Sequence, residues 1–352
     1  MEFTVSRADL VRELNLSQGV VEKKTTIPIL SNVLVEADGD RIYLTATELE
    51  LGIRCSCAAR VKKSGAGTIP ARRLLDYVRL LPDSDLQVKV GENHWANLVC
   101  GRSKTRIAGM SRESFPELPQ MPEVLAEIPI GVLAGMIGKT VFAISSEESR
   151  FTLNGALLVL HKGGLVMVAT DGHRLAMVES TGDVPGVTAA YRALLPRKAM
   201  LELQKLAADA DPASIVQFSG DENHLFFKLG DRLLLSRKLT GNFPDFERVL
   251  PKDQPYSVTL QREEFRAAIE RVVHHKALEV KKVPIHPDVL VVGGGIAGIH
   301  AAMTLALLYF INPFDVIPDV LPVVGVVDDA MVFAFMTKMM SGNDPEGWDY
   351  VF

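Results

Sequence analysis

Three cysteines in 352 residues are too few for a disulfide framework, and their scarcity suits a reducing compartment. Neither sign of charge dominates. The 38 Lys and Arg against 43 Asp and Glu leave a net charge of -5, which by itself selects no class of partner. The opening run MEFTVSRADL lacks the apolar stretch of a secretory leader, so none is expected. What the chain does have is ordinary globular composition, with 47% hydrophobic and 23% charged residues. A disordered chain is excluded, and the length admits two or three domains of roughly 100–200 residues.

The small net charge hides a split. Residues 307–352 carry seven acids (Asp315, Asp319, Asp328, Asp329, Asp344, Glu346, Asp349) against one base, Lys338, so the remainder is close to neutral. Cys55 and Cys57 alternate with Ser56 in a strand-like stretch, which favours structural thiols over metal ligands.

Landmarks recur in order along the chain. Phe3-Thr-Val-Ser-Arg-Ala-Asp-Leu10, Ile128-Pro-Ile-Gly-Val-Leu133 and Tyr256-Ser-Val-Thr-Leu260 each read as a short strand entering a helix. Asn32 precedes the Thr47 landmark by 15 residues, and Asn154 precedes Thr170 by 16. Ile69-Pro70 and Leu195-Pro196 each open a helix, where proline suits the first turn. Phe115-Pro-Glu117 returns as Phe243-Pro-Asp245 after 128 residues. Helices are expected near 7–16, 71–81, 131–143 and 197–208, among strands rich in Val, Ile and Leu. Linkers are expected at 116–122 and 251–255. A third copy begins at Tyr256, but its pattern stops after about Arg271; Gly298 stands near where its Thr-Asp-Gly landmark is due.

The segments Phe3-Thr-Val5, Ile27-Pro-Ile-Leu-Ser-Asn32, Leu153-Asn-Gly155, Ala169-Thr-Asp-Gly-His-Arg-Leu-Ala176, Leu195-Pro-Arg-Lys198 and Asn242-Phe-Pro-Asp-Phe-Glu-Arg-Val-Leu-Pro251 closely resemble the bacterial β sliding clamp, the processivity subunit of the replicative polymerase. The resemblance covers about residues 1–271. It implies an α+β fold of repeated DNA-clamp domains, each with two sheets and two helices. The expected limits are 1–120 and 121–251, followed by the start of a third copy at 252–271. It also implies a non-catalytic, cytoplasmic replication factor needing no cofactor, whose homodimer encircles double-stranded DNA without sequence preference. Expected partners are the replicative polymerase, the clamp loader and repair proteins bearing clamp-binding peptides. In the family the third domain supplies the dimer contact and the chain's end lines the peptide cleft. Both are absent or replaced past residue 271, which bears directly on ring closure.

Carried over position by position, the resemblance assigns DNA contacts to Lys24, Arg73, Arg79, Arg150, Arg197 and Lys198. Arg72 and Lys205 lie on the same two expected helices. Such bases would touch phosphates and give salt-dependent binding. The resemblance assigns a peptide cleft to Leu153, Thr170, Gly172, His173, Arg174, Leu175, Pro244, Arg248 and Val249. Leu153, Leu175 and Val249 would anchor apolar side chains, and the two arginines would bond peptide carbonyls. His173 beside Asp171 invites acid–base chemistry, but no nucleophile or metal-ligand spacing accompanies it.

The tail departs from this pattern. Gly293, Gly295 and Gly298 form G-x-G-x-x-G after an apolar stretch at 289–292. A strand, tight turn and helix in that order would suit a dinucleotide phosphate. Residues 272–306 resemble the segment that binds flavin in heterodisulfide reductase, so FAD or NAD binding by an oxidoreductase fragment is the alternative function. The acidic residue expected about 20 positions on would be Asp315, but it lies in a proline-rich run unsuited to a central strand. Residues 307–340 resemble a small bacterial family of unknown function with an Asp- and Pro-rich signature. The tail as a whole reads as a βα fragment (272–306) and a helical Asp/Pro-rich segment (307–352). Its aspartates are better read as caps and turns than as metal ligands. Residues 289–314 carry no formal charge over 26 positions, long enough for a membrane span, so a membrane-associated fusion protein is the third reading.

Overall fold

A computed structural model describes residues 1–21, 26–147, 149–250, 261, 263, 266–267 and 290–293. The expectations at Lys24, Gly295, Gly298 and most of 252–289 and 294–352 lie outside the described residues.

The first repeat runs β1 (Glu2–Ser6), α1 (Arg7–Val20), β2 (Asn32–Asp38), β3 (Arg41–Thr47), β4 (Leu51–Lys63), β5 (Gly65–Pro70), α2 (Ala71–Leu80), β6 (Asp85–Val90), β7 (Trp95–Cys100) and β8 (Ser103–Ala108). The second follows the same order: β9 (Ala126–Pro129), α3 (Ile130–Thr140), β10 (Gly155–His161), β11 (Gly164–Thr170), β12 (Arg174–Thr181), β13 (Tyr191–Pro196), α4 (Arg197–Ala208), β14 (Ile215–Gly220), β15 (His224–Leu229) and β16 (Arg232–Arg237). One further strand, β17, spans Leu290–Gly293.

Local chemistry explains the helix starts. Ser6 caps α1 by accepting the Asp9 amide at 3.5 Å. The other three helices have a proline at the N-cap, Pro70, Pro129 and Pro196, and α2 and α4 begin at Ala71 and Arg197 as expected. Pro70 and Pro196 each also end a strand that pairs with Asn32 or Gly155 of the neighbouring strand. α1 extends four residues beyond its expected end because Leu16 and Val20 are buried along with Leu10 and Leu14. α3 is shorter than expected and gives way to a 3-10 turn at Val141–Ala143.

The chain divides into two compact units, Met1–Ala169 with Val178–Phe243, and Thr170–Met177 with Pro244–Phe352. The first unit holds nearly all of both repeats. Its larger sheet runs β8-β7-β6-β1-β4-β16-β15-β14-β9, antiparallel throughout, with β3, β2 and β5 continuing from β4. β4 makes this continuity possible because its 13 residues serve three partners. Ala59 and Val61 pair with β1, Cys55 pairs with Leu44 of β3, and Leu51 to Arg54 pair with Ser236 to Leu233 of β16. The second repeat contributes β13-β10-β11 to a smaller sheet. Gly155 is needed there: a Cβ at that position would lie 2.2 Å from the Leu195 carbonyl oxygen.

The helices form a layer on these sheets. α1 packs on α2, β3 and β4, α3 packs on α4, and α1 meets α4. Leu10, Leu14, Leu74, Leu75 and Val78 are buried between helix and sheet. Burying a side chain of this kind contributes roughly 1.5–3 kcal/mol. In the second repeat, Phe218 packs against Tyr191 edge-on at 5.6 Å and against Phe227 at 5.2 Å. Phe115 of the repeated Phe-Pro landmark packs with Ile29, Leu30 and Leu34, so two of the sequence landmarks meet in space.

Candidate nucleic-acid interface and peptide-docking site

Buried charge joins the two repeats within the first unit. Glu13 on α1 is 2% exposed and receives Arg232 of β16 through two hydrogen bonds, at 2.9 and 2.7 Å, with Arg12 at 3.0 Å. Burial alone would raise the Glu13 carboxyl, but its hydrogen bonds to Arg232 and Arg12 hold it below the ordinary carboxylate range. Cys55 and Cys57 are buried free thiols. Loss of solvent, reinforced by the charge of Glu13, raises both; Cys57 is pushed up to about 12. They act as small core side chains.

The helix layer presents an uneven set of bases. On α2, Arg72, Arg73 and Arg79 are exposed between the buried positions. Arg72 pairs loosely with Asp76 at 3.8 Å, Arg79 hydrogen-bonds Asn15 of α1, and Arg73 forms no ion pair among the described residues. The α2 end is further tied by Arg7, whose guanidinium donates to the Val78 and Arg79 carbonyls at 3.2 and 2.7 Å. On α4, Arg197 is exposed with no ion pair among the described residues, whereas Lys198 is bonded to the largely buried Glu48 of the first repeat. Lys205 pairs with Glu202 at 2.6 Å. Arg150 pairs with Glu147 at 2.8 Å, off the helices. Thus three of the expected phosphate contacts, Arg73, Arg79 and Arg197, stand without an ion pair among the described residues, Arg79 being hydrogen-bonded to Asn15, and Lys198 also serves as an inter-repeat tie. Glu48 and Glu13 carry no local sequence signal, because their partners lie 150 and 219 residues away.

The expected cleft positions fall into both units. In the first, Leu153 ends a 3-10 turn, is half-buried, and accepts the Ser145 amide at 3.0 Å. In the second, Thr170 organises a tight turn. Its hydroxyl donates to the Arg174 carbonyl at 2.6 Å and accepts the Gly172 amide at 3.1 Å. Gly172 has φ of 87°, a conformation glycine adopts without strain. Asp171 accepts the His173 and Arg174 amides at 2.9 and 3.0 Å and the Arg174 side chain at 3.0 Å. Partial burial opposes its charge, but these amides and the guanidinium keep its pKa low. His173 engages Asp171 through its backbone amide, as part of this turn.

Two cleft expectations change in detail. Leu175 is 4% exposed, so it is core rather than an open anchor. Arg174 is already bonded to Asp171. Pro244, Arg248 and Val249 are exposed around a 3-10 turn at Phe246–Arg248, with Arg248 held by Asp245 at 2.7 Å. Phe246, the first residue of that turn, is buried.

In the second unit, β17 pairs with β12 in the antiparallel sense, Gly293 opposite Arg174 and Leu290 opposite Met177. A dinucleotide fold needs the glycine-motif strand within a parallel sheet. The observed pairing is of the other kind.

Comparison with known proteins agrees with the repeat. Residues 1–119 match the DNA polymerase III beta subunit, N-terminal domain, and residues 127–245 match its central domain. Residues 301–335 match a family described as a protein of unknown function, DUF1232. The beta sliding clamp of Chlamydia muridarum is 34% identical over 274 residues, covering 77% of this chain and 74% of the relative. The Pseudomonas aeruginosa beta sliding clamp is also 34% identical over 274 residues. A crystal structure of the Pseudomonas aeruginosa sliding clamp bound to griselimycin superposes with a TM-score of 0.72, over 78% of this chain and 74% of that one. The Bacillus subtilis sliding clamp, 26% identical, gives 0.74 and 83% coverage of both chains.

Proposed function

Because the chain belongs to the bacterial β sliding clamp family, we propose that it serves as a non-catalytic processivity factor: a tether that encircles duplex DNA and docks polymerases and repair proteins through a short peptide cleft. The supporting observation is the helix layer, where Arg73 and Arg197 stand without an ion pair among the described residues at repeat-equivalent helix starts. Arg72 and Arg79 extend this basic face. Such side chains hold phosphates without reading bases. Arg150 and Lys198 complete the expected set, but their carboxylate partners reduce what they offer to DNA.

The clamp domains of this reading are 1–120 and 121–251, with 252–271 as the start of a third. Partner peptides dock through Thr170, Gly172, His173, Arg174, Pro244, Arg248 and Val249 of the second unit, with Leu175 as a buried support, and Leu153 of the first unit keeps its role from the resemblance alone. Val249, 55% exposed, is the apolar contact, and Arg248 is the polar one. The tether needs no cofactor. The oxidoreductase alternative loses its main support, since β17 lies antiparallel to β12. The membrane alternative rests on residues 289–314, of which only 290–293 are described, as strand β17; the rest lie outside the described residues.

The solution mass tests ring closure. Light scattering should give a dimer of the 38.5 kDa chain. A strict monomer at micromolar concentration would remove the encircling role while leaving the fold intact.

A further inference from the structure

The two repeats share more than their order of elements. In the first, the Thr47 hydroxyl donates to the Leu51 carbonyl at 3.0 Å and accepts the Leu49 amide at 3.1 Å. Thr170, Arg174 and Gly172 reproduce both bonds in the second. This fixes the correspondence residue for residue: Leu51 with Arg174, Gly52 with Leu175, Ile53 with Ala176, Arg54 with Met177.

Under that correspondence the outer edges of β4 and β12 can be compared. Leu51, Gly52, Ile53 and Arg54 pair with Ser236, Leu235, Leu234 and Leu233 of β16. Arg174, Leu175, Ala176 and Met177 pair with Gly293, Val292, Val291 and Leu290 of β17. Direction and register agree at all four positions. The two capping sequences also agree in kind, Leu-Leu-Leu-Ser and Leu-Val-Val-Gly. An open strand edge is a row of unpaired donors and acceptors that invites pairing with other chains.

We propose that the glycine-motif segment of the tail is a strand-capping element: β17 occupies, on β12, the position that β16 occupies on β4. Its chemistry is backbone strand addition, and its occupant is residues 290–293 of the same chain. The apolar run serves the ladder, and the first glycine of the motif marks its end. The role fixes the backbone of Arg174 and Leu175, beside the Thr170 turn. It extends the clamp reading without depending on DNA retention, since the pairing can be tested with no DNA present.

The test uses the full chain with cysteines placed at one opposed pair, Ala176→Cys/Val291→Cys. Opposed Cα atoms in an antiparallel ladder lie about 4.5–5.5 Å apart, within disulfide range. The three native cysteines are buried, so they leave the readout clear. Mild oxidation followed by non-reducing peptide mapping should give the intrachain 176–291 link in most molecules. The out-of-register pair Met177→Cys/Gly293→Cys should link at least about tenfold less. Absence of the link, equal linking by the control pair, or a link only between two chains would overturn the proposal. Hydrogen exchange on the unmodified chain and on Val291→Pro/Val292→Pro provides a second reading. The alternate amides of 174–177 that face β17 should exchange at least about tenfold faster in the proline variant, with α4 unchanged. Unchanged exchange at 174–177 would likewise overturn it.

Discussion

Leu49 and Gly172 hold the same backbone position in successive repeats, with φ of 78° and 87°. Each amide is received by the threonine two residues before it, at 3.1 Å in both cases. The turn is therefore specified by the threonine cage, and the first repeat keeps it with a leucine that is 56% exposed.

A left-handed leucine costs roughly 1–2 kcal/mol, against about 0.5–1 kcal/mol for the extra freedom glycine loses on folding. Leu49→Gly is thus expected to leave stability unchanged or raise it by about 0.5–1 kcal/mol. Gly172→Leu should cost about 1–2 kcal/mol. Urea midpoints measure both; a loss above about 1 kcal/mol for Leu49→Gly would mean that the side chain packs usefully despite its exposure.

Glu13 and Arg232 tie α1 to β16 in a nearly dry setting. Removing one partner leaves a buried charge, so Glu13→Gln should destabilise the chain by about 3 kcal/mol, and Glu13→Met/Arg232→Met should recover most of that. The folded-state pKa of Glu13 lies below its ordinary value of 4.5. Its contribution is consequently complete above that value and is lost as pH falls through the depressed one. Thermal unfolding between pH 7 and 3 should show a steeper acid limb for the native chain than for Glu13→Gln. Parallel limbs would contradict the assignment.

The DNA face can be divided by salt dependence. Arg73→Ala and Arg197→Ala should each flatten the slope of log affinity against log salt by about one. Lys198→Ala should change it less, because Glu48 already neutralises that ammonium. Glu48→Gln should then strengthen DNA binding. Equal slopes for all three base variants would show that the ion pair does not discriminate among them.

The Thr170 turn can be separated from its counterpart by peptide titration. Thr170→Val should weaken binding of a fluorescent clamp-binding peptide about tenfold, about 1.4 kcal/mol. Thr47→Val, which removes the same two bonds in the first repeat, should leave affinity unchanged. Loss with both variants would point to global unfolding.

The repeat was legible because its markers are local. Pro70 and Pro196 stand at helix starts, and the paired spacings from Asn32 to Thr47 and from Asn154 to Thr170 survive as strand–turn–strand units. The buried Cys55 and Cys57 were also readable as strand core. What escaped the sequence is long-range. Nothing near Glu13 announces Arg232, and nothing near Lys198 announces Glu48, because those pairs arise only when β4 and β16 join. Leu175 looked like an anchor because the resemblance places it in the cleft, yet it is buried, as is its neighbour Ala176 on the opposite face of the strand. The glycine motif after 289–292 suggested a nucleotide loop; its strand is present, but antiparallel pairing with β12 gives it another setting.

Retention on DNA tests the tether most directly. The full chain, loaded onto nicked circular DNA with a bacterial clamp loader and washed in moderate salt, should remain bound until a restriction enzyme linearises the circle, and should then slide off. Equal loss from the circle and the linear form would contradict a closed tether and leave only phosphate binding by the helix face.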